Sequence, residues 1–237
     1  MKKYSKAKTK NRIRILSIFL FILVVILAVI IFQQRNKETI AFENDEAKME
    51  TVEFNLGEEL LVTKVGSYSG AYMEDASDEE VTDVMAIMLT NTGDKTLQYA
   101  EVTLYGKDEE AVFAVTTLKP HTSMLVLEST RKEYADKYTE ASVQNVVFFE
   151  KEPSIYEDVF EVQPLDGGFN ITNISEKDVE EEVIIYFKDC MNDIYYGGIT
   201  YRGRIEGGLK SGEIRQIMTD NFSASDTEVM FITIAGK

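Results

Sequence analysis

Apolar and polar residues follow two different regimes along this chain. Residues 13–32, IRILSIFLFILVVILAVIIF, are apolar on every side, with only Arg14 and Ser17 as polar interruptions near the start. At about 1.5 Å rise per residue, such a helix is as long as a hydrocarbon core of about 30 Å is thick, so the pattern predicts one transmembrane helix. Residues 33–50 are rich in Glu, Asn, Gln and Lys and read as a stalk or linker. Beyond residue 50 the apolar residues come in short alternating runs bounded by turn residues. These predict strands at 51–56, 60–65, 84–89, 97–105, 111–117, 123–127, 143–149 and 227–234, with a long polar loop over 66–83. One helix is expected among them, over 131–141, from Thr130 and Glu133 at capping-box spacing and the i, i+4 pairs Glu133 with Lys137 and Tyr134 with Tyr138.

The second half repeats the plan of the first. Asn91-Thr92-Gly93-Asp94-Lys95 matches Asn173-Ile174-Ser175-Glu176-Lys177, and Glu101-Val102-Thr103-Leu104-Tyr105 matches Glu182-Val183-Ile184-Ile185-Tyr186. Lys107-Asp108 matches Lys188-Asp189, and Leu118-Lys119-Pro120-His121 matches Leu209-Lys210-Ser211-Gly212. The second copy is longer around 190–208 and lacks the helix before its last strand, changes that fall in connections, as two copies of one fold require. Asn followed by Gly or Ser is turn chemistry, because these residues accept positive φ or bond their own backbone. In the strand that follows, Val102 and Leu104, like Val183 and Ile185, point to one face, with Thr103 and Tyr105, or Ile184 and Tyr186, on the other.

This order of strand, Asn-x-Gly/Ser turn, strand ending in Tyr or Phe-Lys-Asp, and Leu-Lys-Pro/Ser turn resembles the bacterial Ig-like repeats of the FxLYD and CARDB kinds, over two copies between about 50 and 237. His121 departs from it, standing where Gly is usual. The resemblance implies an all-β fold of two tandem Ig-like antiparallel β-sandwiches used for spacing, adhesion or assembly, with no catalytic residues. The expected organisation is therefore a basic tail (1–12), a transmembrane signal-anchor helix (13–32), a stalk (33–50), a first Ig-like domain (51–152) and a second (153–237).

Charge sets the topology. The formal net charge is −16, yet residues 1–14 hold seven Lys and Arg and no acid, leaving 18 basic against 41 acidic residues, a net of −23, in the remainder. Positive charge beside a span stays in the cytoplasm. A single-pass protein of the plasma membrane is expected, its N-terminus inside and its acidic bulk outside. Nucleic acid is excluded as a partner for want of a basic face. An uncleaved anchor is favoured over a signal peptide because the apolar run exceeds a signal h-region and residues 29–34 offer no small-x-small cleavage site. Lys-, Ile- and Asn-rich usage, with no outer-membrane signature, points to a Gram-positive envelope. Cys190 is the only cysteine, so no intramolecular disulfide forms.

Chemistry-bearing residues are few. His121 is the only histidine and sits in a Pro-containing turn, leaving little to build a His-based metal site or a Ser-His-Asp triad on. No enzyme activity and no cofactor are expected. The acidic stretch Glu74, Asp75, Asp78, Glu79, Glu80 and Asp83 carries the oxygen ligands Ca2+ takes, without the Asp-x-Asp-x-Asp-Gly order of a dedicated loop. For recognition the candidate is the insertion at 194–202, with Tyr195, Tyr196, Gly197, Gly198, Tyr201 and Arg202, since Tyr and Arg are enriched at interface hot spots and paired glycines in a strand mark a bulge or close backbone approach. Strict alternation puts Tyr195, Ile199 and Tyr201 on one face and Tyr196, Thr200 and Arg202 on the other. The expected role is non-catalytic binding or scaffolding of a protein or envelope partner. The alternative is a calcium- or carbohydrate-binding module or an accessory subunit of an envelope enzyme.

Overall fold

The structure is a computed structural model, and it describes residues 47–236 except 78, 108, 136 and 137. The expected span at 13–32, with the tail and nearly all of the stalk, lies outside them. No helix among the described residues is long and apolar enough to cross a membrane. From Glu46 onward the chain is one compact unit.

The described residues are all-β. In chain order the strands are β1 (Ala47–Gly57), β2 (Leu60–Ala71), β3 (Glu80–Asn91), β4 (Leu97–Tyr105), β5 (Glu110–Leu118), β6 (Ser123–Leu127) and β7 (Glu140–Phe148). They continue with β8 (Phe160–Leu165), β9 (Gly168–Asn173), β10 (Val183–Met191), β11 (Ile194–Ile205), β12 (Ile214–Met218) and β13 (Thr227–Ile234). One seven-stranded sheet runs β1-β2-β3-β6-β11-β10-β13, and two three-stranded sheets run β5-β4-β7 and β12-β9-β8. The sheets stack in a sandwich-like arrangement around two cores. Leu89, Leu97, Phe113 and Met124 belong to the first, and Phe169, Ile171, Phe187 and Ile232 to the second.

The two halves use the same strand order. In the first, β2-β3-β6 faces β5-β4-β7; in the second, β8-β9-β12 faces β11-β10-β13. The halves meet where β6 pairs in parallel with β11, Ser123 to Leu125 against Ile194 to Tyr196. All other strand pairings are antiparallel.

Matched residues do matched work. Asn91 and Asn173 are both wholly buried. The Asn91 side-chain amide donates to the carbonyls of Lys95 (2.9 Å) and Leu118 (3.0 Å), while its oxygen accepts from the Gly93 amide (3.0 Å). Asn173 donates to Lys177 (2.8 Å) and Leu209 (3.0 Å) and accepts from Ser175 (3.0 Å). Each asparagine thus ties its own turn to a matched leucine, Leu118 at the end of β5 and Leu209 beyond the end of β11, supplying partners to backbone groups that water does not reach. The turns that follow agree as well: His121 has φ +56° where Gly212 has +73°. His121 therefore adopts the left-handed backbone its glycine counterpart adopts, at the cost its Cβ imposes.

Two local expectations are corrected. The loop at 66–83 shrinks to 72–79, because Ser67 and Tyr68 pair with Met85 and Val84 across β2 and β3. The expected helix at 131–141 does not form among the described residues. The buried Glu128 carboxylate takes the amides of Thr130 (2.7 Å) and Lys132 (2.9 Å) and the Thr130 hydroxyl, so the capping residue is already engaged. Arg131 has φ +61°, and the chain runs on along β3, with Val84 bridged to Glu133. Local helix signals lose here to a carboxylate that satisfies the same amides and to a sheet edge needing partners.

Asn91→Ala should destabilise the fold by about 3 kcal/mol, since one buried amide and two carbonyls lose their partner. Asn91→Asp should cost about as much, because both donated bonds vanish. Asn173 variants should behave alike in denaturant unfolding, and a near-neutral Asp variant would contradict the assignment.

Candidate functional site

The seam between the halves is built on an irregularity in β11. Phe187 pairs with Tyr201 and Asp189 with Tyr196, so the single residue Lys188 of β10 faces the four residues 197–200. Those four bulge out of the ladder and need new partners for their backbone groups. Lys188, with no exposed surface, donates to the carbonyls of Gly197 (3.0 Å), Gly198 (3.1 Å) and Ile199 (2.5 Å). Three acceptors match the three protons of an ammonium group. The Gly198 amide donates to Glu74 Oε2 (2.7 Å), and Glu74 Oε1 accepts from Leu127 (2.8 Å) at the end of β6.

One bulge is thus held from two sides, by an ammonium on its carbonyls and a carboxylate on its amide. Burial pushes the Glu74 carboxyl up, to about 7, against the opposing pull of the Leu127 amide and Lys188. Burial pushes the Lys188 ammonium down, while Glu74 and Asp189 pull it back. Glycine is required at both bulge positions. Gly197 has φ +80°, and a Cβ on Gly198 would stand 1.9 Å from the Ala114 carbonyl oxygen of β5. Thr116 of β5 completes the contact through Gly198 O and the Thr200 hydroxyl, both at 2.8 Å.

The acidic stretch is engaged in holding the 72–79 loop. Arg131 reaches Asp75 (2.7 Å) and Glu79 (2.5 Å), and its guanidinium lies 4.5 Å from the centre of the Tyr72 ring. Hydrogen bonds from Ser77 and Arg131 hold the Asp75 carboxyl below its ordinary value. Glu80 and Asp83 lie exposed on β3, and Asp78 is outside the described residues. Among the described residues, no three His, Cys, Asp or Glu side chains are grouped to hold a metal ion.

This loop and the bulge together shape a cleft of about 360 Å3 at the seam. Tyr68, Tyr72 and Met73 come from the first half and Tyr196 and Tyr201 from β11. Asp189 of β10 and Asp220 and Asp226 of the β12–β13 loop add carboxylates, and no Lys or Arg among the described residues lines the cleft. A larger hollow of about 780 Å3 lies by Lys119, where Lys119 pairs with Glu228 (2.5 Å) and Thr96 bonds Glu152 (2.5 Å).

The bulge also corrects the expected faces of 194–202. Strict alternation separates Tyr196 from Tyr201; the extra residues shift the parity and bring both to the same cleft. Tyr195 turns into the first core, where its hydroxyl donates to Glu228 (2.7 Å), and burial with that bond pushes its phenol well above the ordinary range. Gly197 and Gly198 are buried as backbone spacers, and Arg202 is exposed away from the cleft. Cys190 is half-buried, its thiol pushed up to about 11 by burial and by Glu228, which leaves it a poor nucleophile at neutral pH. Lys188 and Glu74 were not singled out as a pair by sequence reasoning. The available signal was a lysine set between Phe187 and Cys190 in an apolar strand, shortly before a Gly-Gly pair.

The unfolded chain gives up the Glu74 proton near 4.5 and the folded chain near 7, so over that window the unfolded state binds fewer protons and stability falls as pH rises. Measured against Glu74→Gln by denaturant unfolding, the wild type should lose at least about 1 kcal/mol of relative stability between pH 5 and pH 7. A relative gain over that range would mean that Glu74 folds in as a carboxylate at every pH.

Compared with known proteins, the chain matches no family model, no curated protein and no solved structure.

Proposed function

We propose that the chain is a single-pass protein of a Gram-positive plasma membrane, with its N-terminus in the cytoplasm. Two tandem Ig-like sandwiches outside the cell bind, without catalysis, a protein partner in the envelope. The observation that carries this reading is the tyrosine-lined cleft at the seam, to which both halves and the 72–79 loop contribute. Concave sites with aromatic walls and a few polar groups are where binding energy concentrates.

Other features support the remaining parts. The apolar run at 13–32 and the seven basic residues at 1–14 support the anchor and its direction. Each half takes its first, second and fifth core strands into one sheet and its third, fourth and sixth into the other, a Greek-key path of the kind Ig-like sandwiches follow. Within Glu46–Lys237 the continuous seven-stranded sheet makes a stiff carrier for a binding surface. The net charge of −23 beyond residue 14 repels anionic envelope polymers and favours a protein partner.

In intact cells making the full chain, external protease should leave an N-terminal fragment that sediments with membranes. A photoreactive residue replacing Tyr196 should crosslink one recurring envelope protein, whereas one replacing Glu161, exposed on β8, should not. A chain released into the medium would overturn the anchor, and identical crosslinking from both positions would overturn the cleft as the binding surface.

A further inference from the structure

The internal repeat gives β12 a counterpart in β6, and the two strands differ in what lies beside them. Thr172, Ile171 and Phe169 of β9 face Ile214, Arg215 and Ile217 of β12, just as Thr90, Leu89 and Ile87 of β3 face Ser123, Met124 and Val126 of β6. The bond beside each ladder agrees too: the Asn91 amide donates to the Thr122 carbonyl (3.0 Å) and the Asn173 amide to the Glu213 carbonyl (3.1 Å). Bonded and non-bonded pairs alternate along an antiparallel ladder. Glu213, Arg215 and Ile217 therefore turn their backbone groups toward β9, while Ile214, Gln216 and Met218 turn theirs away. In the first half the equivalent outward edge is covered, by β11 over Ser123 to Leu125 and by Glu74 at the Leu127 amide (2.8 Å). In the second half β12 ends its sheet.

We infer that β12 is an interface between two copies of this chain, paired antiparallel about a two-fold axis at Gln216, so that their small sheets join into one. Ile217 packs on the second core, and alternation therefore turns Ile214 and Met218 outward, where they are 63% and 64% exposed. They are the most exposed large apolar side chains among the described residues, whereas Leu125 and Leu127 of β6 are buried. A two-fold axis at Gln216 sets Ile214 against Met218 of the other copy, and Met218 against Ile214. Arg215, already paired with Glu213 at 2.7 Å, falls opposite Ile217, so no like charges are opposed. Every outward N–H and C=O of Ile214, Gln216 and Met218 then meets a partner. The strand has no proline and its pairing with β9 no bulge, while β8, at the far edge of the same sheet, carries Glu161 and Pro164, residues that blunt an edge. Five paired residues a side fall short of the roughly 1,200 Å2 of a stable interface, so the two copies associate weakly and where they are concentrated.

The test uses the full chain, concentrated in detergent micelles, with Cys190→Ala to remove the native thiol and Gln216→Cys to place one thiol on the axis. Directly opposed residues of a bonded antiparallel pair lie about 5.5 Å apart at Cα, within disulfide reach, so mild oxidation should link two copies. Glu161→Cys in the same background should give at least about fivefold less dimer. Adding Ile214→Lys with Met218→Lys should cut the Gln216→Cys dimer about fivefold, because like charges then face each other across the axis. Ile214→Asp with Met218→Lys should restore it, because each acid then faces a base of the other copy. All these side chains are exposed, and an unchanged thermal unfolding midpoint shows that each variant folds. Equal linking from both thiols overturns the proposal, as does linking that the lysine pair leaves unchanged. A Gln216→Cys thiol that a maleimide cannot reach would mean that the chain covers its own edge, and would overturn it too. Linking in cells to a different protein, with no linked dimer, would give the edge to a foreign strand and overturn the second copy.

Discussion

The structure depends on how one bulge in β11 is satisfied. Four residues opposite one break the ladder in the middle of the molecule, where water cannot repair the missing bonds. An unmade bond at such a place costs on the order of 1–3 kcal/mol for each orphaned group. Lys188 supplies three donors to three carbonyls, and Glu74 accepts the bulge amide together with the last amide of β6. Neither charge is cheap to bury, and each is tolerable because its hydrogen-bonding capacity is used. Since Glu74 belongs to the 72–79 loop, the same bonds fix that loop against β11. The Met73 carbonyl sits 3.1 Å from where a Cβ of Gly197 would be. Fold and cleft are therefore settled by one set of contacts.

The internal repeat explains why the bulge is there at all. Both halves run through the same strand order and hang their turns on equivalent asparagines. In the first half, β5 is a plain edge strand of its small sheet. Its counterpart β11 is longer and has to satisfy β10 on one side and β6 on the other. Pairing with β6 covers an edge that a solitary sandwich would leave open to strand addition. The bulge divides the pairing with β10 into two ladders, 194–196 and 201–205, and the first of them also pairs with β6 on its other side. The second half has thereby gained a junction that the first does not need.

Much of the fold was legible in the sequence. Alternation and turn residues placed β4, β6 and β13 to the residue, and the matched Asn turns located the equivalent points of the two halves. What failed was the parity of 194–202, because a strand's period of two holds only until a bulge adds residues, and only the Gly197-Gly198 pair hinted at one. The helix at 131–141 was misread because Glu128, in sequence merely an acid ending a strand, turns inward and claims the amides and hydroxyl that a capping box would use. The acidic loop read as solvated charge or cation ligands. Which of its acids would turn inward depended on amides at 127 and 198 that only tertiary structure brings near, and Lys188 was visible only as half of a Lys-Asp match. Residue type alone marks Tyr196 and Tyr201, while Tyr68 and Tyr72, which complete the cleft, lie in a stretch whose polar sequence predicts a loop.

The most direct test of this account is amide hydrogen exchange at Leu127 and Gly198 in the wild-type chain near neutral pH. If Glu74 and Lys188 hold the seam, both amides should exchange only through global unfolding, as slowly as the core amides of β10. Exchange at the rate of the 72–79 loop amides would mean that the carboxylate leaves its place freely, and that the bulge, the loop and the cleft are held by something else.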